Sequence, residues 1–113
     1  SLDTPVCDVQ TKRFNKEAAS LPGVTVVTVS LDLPFAQARW CAAANANSHI
    51  VLSDYAERDF GKKFGTLIKE LKLLTRAVFV LDKNNVVKYV QYVPEITNEP
   101  DYEAAIKAAK ELL

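Results

Sequence analysis

The seven residues 24–30, V-T-V-V-T-V-S, constrain the fold of this chain more than any other stretch. β-Branched side chains are stiff at χ1 and fit a pleated surface better than a helix, so this run predicts a buried strand. The segments on both sides have a different period. Phe14, Ala18 and Leu21 recur four and three residues apart, which predicts a helix over residues 8–21, stopped by Pro22-Gly23. After the strand, Asp32-Leu33-Pro34 has the form of a helix entry, with Asp32 or Leu33 near the cap and Pro34 in the first turn. Residues 35–44 continue that helix and carry Trp40 and Cys41. A strand enclosed by two helices must bury its faces in layers, and an α/β architecture follows.

The remainder extends the alternation. Residues 45–48 read as a loop, 49–53 as a short strand and 56–64 as a short helix that Gly61 and Gly65 weaken. Residues 66–74 fit either a strand or an irregular loop. Residues 77–81 predict a strand, Asp82-Lys83-Asn84-Asn85 a hairpin turn and 86–93 the partner strand. A loop over 94–100 leads to Asp101, which caps a last helix packed through Tyr102, Ala105, Ile106 and Ala109. There is no internal repeat, and 113 residues fit one domain, 1–113. A hairpin followed by a terminal helix is the second half expected of a thioredoxin-like fold. Phe35, Trp40 and Phe79 are expected in the core, and Lys12 and Arg13 on a solvated helix face.

Charge and composition exclude several classes of partner. Fourteen basic residues balance fourteen acidic ones without a basic block, so neither nucleic acid nor an anionic membrane is an expected partner. No apolar run approaches the roughly 20 residues needed to span a bilayer. With no Met, Ser1 is not a natural start, and a processed or shortened chain is expected.

Two cysteines are too few for a secreted disulfide scaffold. They are either two inert buried thiols or a redox pair. Cys7 lies where a loop gives way to a helix, and the free N–H groups and positive dipole end there favour a thiolate. Asp8 opposes that effect, so a nearby cation is required as well. On the residues alone, a small apolar residue in a first helical turn describes Cys7 equally well, and Cys41 reads as a buried structural thiol. There is no Cys-x-x-Cys, and two distant cysteines with His49 give no metal-ligand spacing. No metal and no cofactor are expected.

The motifs narrow these alternatives. Ser1-Leu2-Asp3-Thr4-Pro5-Val6-Cys7 resembles the peroxiredoxin active-site motif of proline, three residues, threonine, two residues and cysteine, with the proline falling just before Ser1. Residues 8–15, D-V-Q-T-K-R-F-N, resemble the first active-site helix of bacterial thiol peroxidases, and D-L-P-F-A-Q-A-R-W-C over 32–41 resembles their resolving-cysteine helix. Arg76 ahead of residues 77–82 resembles their arginine-bearing strand, and residues 94–105 their C-terminal signature.

The resemblance implies a three-layer thioredoxin-like fold with a central mixed sheet flanked by helices. Its opening strands would precede this chain, one of them lying between strands 24–30 and 77–81. It also implies a peroxidase for hydrogen peroxide and organic hydroperoxides, with Cys7 as peroxidatic thiolate and Cys41 as resolving thiol. Thr4 would orient the peroxide, Arg76 would lower the thiol pKa and hold the polarised oxygens, and backbone N–H groups at Val6 and Cys7 would complete the cradle. An intramolecular disulfide, reduction by thioredoxin, a homodimer and a cytoplasmic location follow from the same resemblance. A disulfide needs Cα atoms within about 7 Å, so both cysteine helices are expected to unwind locally during turnover. The other functional readings are a non-catalytic thioredoxin-like binding domain and a dithiol redox sensor.

Overall fold

Prolines open the first two helices. The structure is a computed structural model that describes residues 1–95 and 97–113. Ile96, inside the expected 94–100 loop and the C-terminal signature, lies outside the described residues. Helix α1 (Pro5–Ala19) begins three residues earlier than expected, with Thr4 at the N-cap and Pro5 in the first turn. Proline is pre-organised for that position, because its φ is helical and its missing N–H needs no acceptor. Cys7 therefore lies inside the first helical turn and not ahead of it.

Strand β1 (Val27–Ser30) is shorter than the β-branched run, because its partner supplies only four residues. That partner is β2 (Ile50–Ser53), parallel to β1 in the register Val27↔Ile50 through Ser30↔Ser53. Helix α2 (Pro34–Ala44) makes the crossover between them, entering through Leu33 and leaving at Asn45 in the left-handed conformation, φ 54°. It packs on β2. Its buried residue is Gln37, and Phe35, two positions earlier and so on the opposite face, is 82% exposed. The expectation that Phe35 belongs to the core is thus overturned.

Helix α3 is only Asp59–Lys63, against an expected 56–64. Arg58 adopts φ 56° ahead of it, and the Asp54 carboxylate accepts from the Phe60 and Gly61 N–H groups at 3.1 and 2.8 Å, so the first turn starts late. Gly61 lets α3 approach Leu67 and Leu74 closely: a Cβ there would sit 2.8 Å from Leu74 Cδ2 and 3.1 Å from Leu67 Cβ. The ambiguous 66–74 stretch resolves into a small antiparallel pair, β3 (Leu67–Ile68) and β4 (Leu73–Leu74).

The hairpin forms as β5 (Ala77–Leu81) and β6 (Val87–Tyr92), with a register shift at Val80/Leu81. Asp82 Oδ1 accepts from the Asn84 and Val86 N–H groups at 2.8 and 3.0 Å, which draws Val86 into the turn. Helix α4 (Tyr102–Glu111) packs on β5 and β6, capped by Asp101, whose side chain accepts from the Ala104 N–H at 3.0 Å. Ala105 and Ile106 are buried as expected. Phe60, Phe64, Phe79 and Tyr92 form a ring cluster with centroid separations of 4.5 to 6.2 Å between α3 and the hairpin. Arg13 is less solvated than expected. It bonds Glu17 and Glu103 at 2.9 Å each and lies 4.7 Å from the Tyr102 ring centre, tying α1 to α4.

Among the described residues the strands form three two-stranded sheets, and β1 and β5 are not paired with each other. The parallel and antiparallel ladders of the expected mixed sheet are both present, as separate units.

Candidate active site

The loop that delivers Cys7 is fixed to the carboxyl end of β1. Asp32 accepts from Ser1 Oγ at 2.7 Å, from the Leu2 N–H at 2.8 Å and from Ser30 Oγ at 2.7 Å. Buried Gln37 extends the network, donating to Ser30 Oγ and to the Leu52 carbonyl at 2.9 Å each. Asp32 therefore does not cap α2 with its side chain; the carboxylate is turned to the Cys7 loop. Burial alone would push this carboxyl up, but the bonds from Ser1, Ser30 and Leu2 hold it below the ordinary range.

Cys7 is half-buried and free. Its carbonyl accepts from the hydroxyl of buried Thr11 at 2.8 Å, which steadies the first turn. The first intrahelical bond of α1 runs from the Asp8 N–H to the Thr4 carbonyl at 2.9 Å. The N–H groups of Val6 and Cys7 precede it, in the part of a helix where no intrahelical acceptor exists. Thr4 makes no side-chain cap bond to α1. Its hydroxyl donates to the Ser1 carbonyl at 2.8 Å and is near enough to the Cys7 sulfur to favour the thiolate.

Arg76 supplies the cation that the sequence required. It is 7% exposed, and Nη1 lies 3.4 Å from Cys7 Sγ. The same nitrogen donates to Gln10 Oε1 at 2.6 Å. The Arg76 carbonyl accepts from the Val93 N–H at 3.0 Å, which holds the residue at the open end of the hairpin. Burial by itself would push the Cys7 thiol up. The Thr4 hydrogen bond and the hydrogen bond and charge of Arg76 together bring it below the ordinary thiol value.

Asp8, which should oppose the thiolate, is drawn away from it. One carboxylate oxygen accepts from Lys12 Nζ at 2.9 Å and the other from Trp40 Nε1 at 2.8 Å. Cys41 is free and half-buried in α2, and burial pushes its thiol up. The structure thus brings Thr4, Cys7 and Arg76 together and leaves Cys41 outside that cluster. Gln10, which meets Arg76, and Trp40, which meets Asp8 next to the site, had no sequence signal: each binds a partner at least 32 positions away. His49 is outside it, with Nδ1 3.0 Å from Asn15 Oδ1. Among the described residues no group of three His, Cys, Asp or Glu side chains is placed to hold a metal ion, and no helix is long and apolar enough to cross a membrane.

Known proteins resemble this chain in both sequence and fold. The Redoxin family model matches residues 1–106. A thiol peroxidase of Halalkalibacterium halodurans is 59% identical over all 113 residues, and that of Bacillus subtilis is 58% identical over the same span. The chain covers 68% of the length of each. A crystal structure of a peroxiredoxin-like protein from Aquifex aeolicus superposes with a TM-score of 0.94 at 49% identity, covering 100% of this chain and 67% of the other.

Proposed function

The chain belongs to the Redoxin family as a peroxiredoxin-type, thiol-dependent oxidoreductase, and on that premise we propose that Cys7 is its peroxidatic thiolate and Cys41 its resolving thiol. The observation that carries the assignment is the 3.4 Å approach of a buried guanidinium to a sulfur in the first turn of a helix. Both groups favour an anion at the sulfur, and the thiolate is the nucleophile.

In the first step the Cys7 thiolate attacks one peroxide oxygen in line with the O–O bond. An S–O bond forms, the O–O bond breaks, and the leaving alkoxide or hydroxide takes a proton. Arg76 and the Val6 and Cys7 N–H groups face the region where negative charge develops, and the Thr4 hydroxyl orients the incoming peroxide. The product is a sulfenic acid on Cys7. Cys41 then attacks that sulfur, closing a disulfide and releasing water. Since both sulfurs are held in intact helices, closure proceeds with local unwinding of α1 and α2. Thioredoxin or a similar dithiol returns the disulfide to two thiols, and the enzyme works as a cytoplasmic homodimer on hydrogen peroxide and organic hydroperoxides.

The test is single-turnover oxidation with dimedone trapping, read by mass spectrometry. One equivalent of peroxide should place the adduct on Cys7, and the Cys41→Ser chain should stop after that equivalent with no recycling by thioredoxin. A dimedone adduct on Cys41 in place of Cys7, or normal cycling of Cys41→Ser, would overturn the assignment.

A further inference from the structure

The two helices that carry the cysteines are joined immediately beside them. Asp8 follows Cys7 on α1 and Trp40 precedes Cys41 on α2, and these neighbours share the 2.8 Å bond between Trp40 Nε1 and Asp8 Oδ1. The second carboxylate oxygen is held by Lys12, one turn further along α1. The Asp8 carboxylate is thus fixed to its own helix while it accepts from the other.

We propose that the Trp40–Asp8 hydrogen bond is a latch that keeps the Cys7 and Cys41 helices in the peroxide-reactive arrangement and sets the rate at which the disulfide closes. The inference rests on the roles assigned above to Cys7 and Cys41. Disulfide formation brings two sulfurs to about 2.05 Å, with Cα atoms within about 7 Å. Loosening α1 at Cys7 moves Asp8, and loosening α2 at Cys41 moves Trp40, so neither helix gives way while the bond between them holds. The latch retains Cys7 beside Arg76 and Thr4, where peroxide attacks it. It also prolongs the sulfenic acid, during which a second peroxide can oxidise that sulfur to the sulfinic acid. Trp40 and Asp8 are positioning residues: they act through the helices and touch neither peroxide nor sulfur. In the closing step the Cys41 sulfur attacks the sulfenyl sulfur of Cys7, the S–S bond forms, the S–O bond breaks, and the departing hydroxide leaves as water with the thiol proton.

The experiment compares the full chain with Trp40→Phe, Asp8→Ala and Asp8→Asn by rapid mixing with hydrogen peroxide. Attack is followed as peroxide consumed, closure as loss of free thiol on quenching, and overoxidation as sulfinic Cys7 by mass spectrometry. Trp40→Phe and Asp8→Ala should close roughly tenfold faster, the fold-change equivalent to about 1.4 kcal/mol, and accumulate less sulfinic acid at excess peroxide. Trp40→Phe should still consume one equivalent of peroxide, which reports that it is folded, with attack slowed only as far as the partly released Asp8 carboxylate, still held by Lys12, opposes the thiolate. Asp8→Asn retains an acceptor oxygen and should close nearer the wild-type rate. Trp40 is the single tryptophan of the chain, so its emission in the unsubstituted protein should change with closure and not with attack. Closure that is unchanged or slower in Trp40→Phe and Asp8→Ala, with attack intact, overturns the latch while leaving the peroxidase assignment standing. So does an Asp8→Asn that matches Asp8→Ala while Trp40→Phe stays at wild type, because the effect would then come from charge beside Cys7. Failure of Cys7 to consume peroxide in the unsubstituted chain would remove the assignment and the latch together.

Discussion

Gln10 and Cys7 share one donor: Arg76 Nη1 gives a 2.6 Å hydrogen bond to Gln10 Oε1 and reaches the Cys7 sulfur at 3.4 Å. Gln10 lies three residues after Cys7, so both face the guanidinium from successive turns on one side of α1. The amide fixes where the cation sits without cancelling its charge, which a carboxylate in the same place would do.

Removing that amide should therefore slow the attack on peroxide. A hydrogen bond to a charged group contributes about 1.5–3 kcal/mol, and part of that loss reaches the sulfur as poorer placement of the guanidinium. Gln10→Ala is expected to lower the second-order rate of Cys7 oxidation roughly fivefold, measured by competition with a reference peroxidase. An unchanged rate would show that Arg76 holds its place without Gln10.

Arg76→Met should be the stronger substitution, since it removes the cation and keeps most of the buried volume. An opposite charge close to an acid lowers its pKa by about one to three units, so losing it should raise the Cys7 midpoint and cut thiolate reactivity near pH 7 roughly tenfold or more. The pH dependence of iodoacetamide alkylation checks this. A midpoint that does not rise would separate the sulfur from the guanidinium.

The two thiols should also be distinguishable in the unsubstituted chain. Cys7 is held below the ordinary thiol value by Thr4 and Arg76, acting against burial, while burial pushes Cys41 above it. Alkylation near neutral pH is expected in two phases, Cys7 first, and the gap should narrow as pH rises and Cys41 ionises. Peptide mapping of each phase gives the order.

Asp32 predicts the acid response of the fold. Its carboxyl sits below the ordinary range because the bonds from Ser1, Ser30 and Leu2 outweigh burial, so the folded state binds its proton less readily than the unfolded state. The stability it contributes is present above the unfolded carboxylate pKa of about 3.9 and is lost as pH falls through the lower, folded value. Urea midpoints measured across that range should fall less steeply for Asp32→Asn than for the unsubstituted chain. Equal slopes would mean that the network does not depend on the carboxylate charge.

Much of the fold was legible from local pattern. The β-branched run, Pro34, the Asp82–Asn85 turn and the Asp101 cap each act on residues near in sequence, so their consequences can be read directly. Element ends were less legible, because they depend on partners. β1 is cut to four residues by the length of β2, and α3 starts late because Asp54 takes its first N–H groups. Phe35 was misplaced for a related reason: apolar character gives no direction until Gln37 is seen to take the buried face of α2.

The sequence by itself determined the alternation of helices and strands, a cysteine where a loop gives way to a helix and the motifs carrying Thr4, Cys7, Arg76 and Cys41. Those are properties of spacing and residue type, which the chain holds before it folds. Only the tertiary structure decided what surrounds the sulfur: a buried arginine 69 positions away, the glutamine that holds it, and an indole that takes up the carboxylate of Asp8. Electrostatic effects depend on distance through space and on exclusion of water, and neither is encoded in separation along the chain.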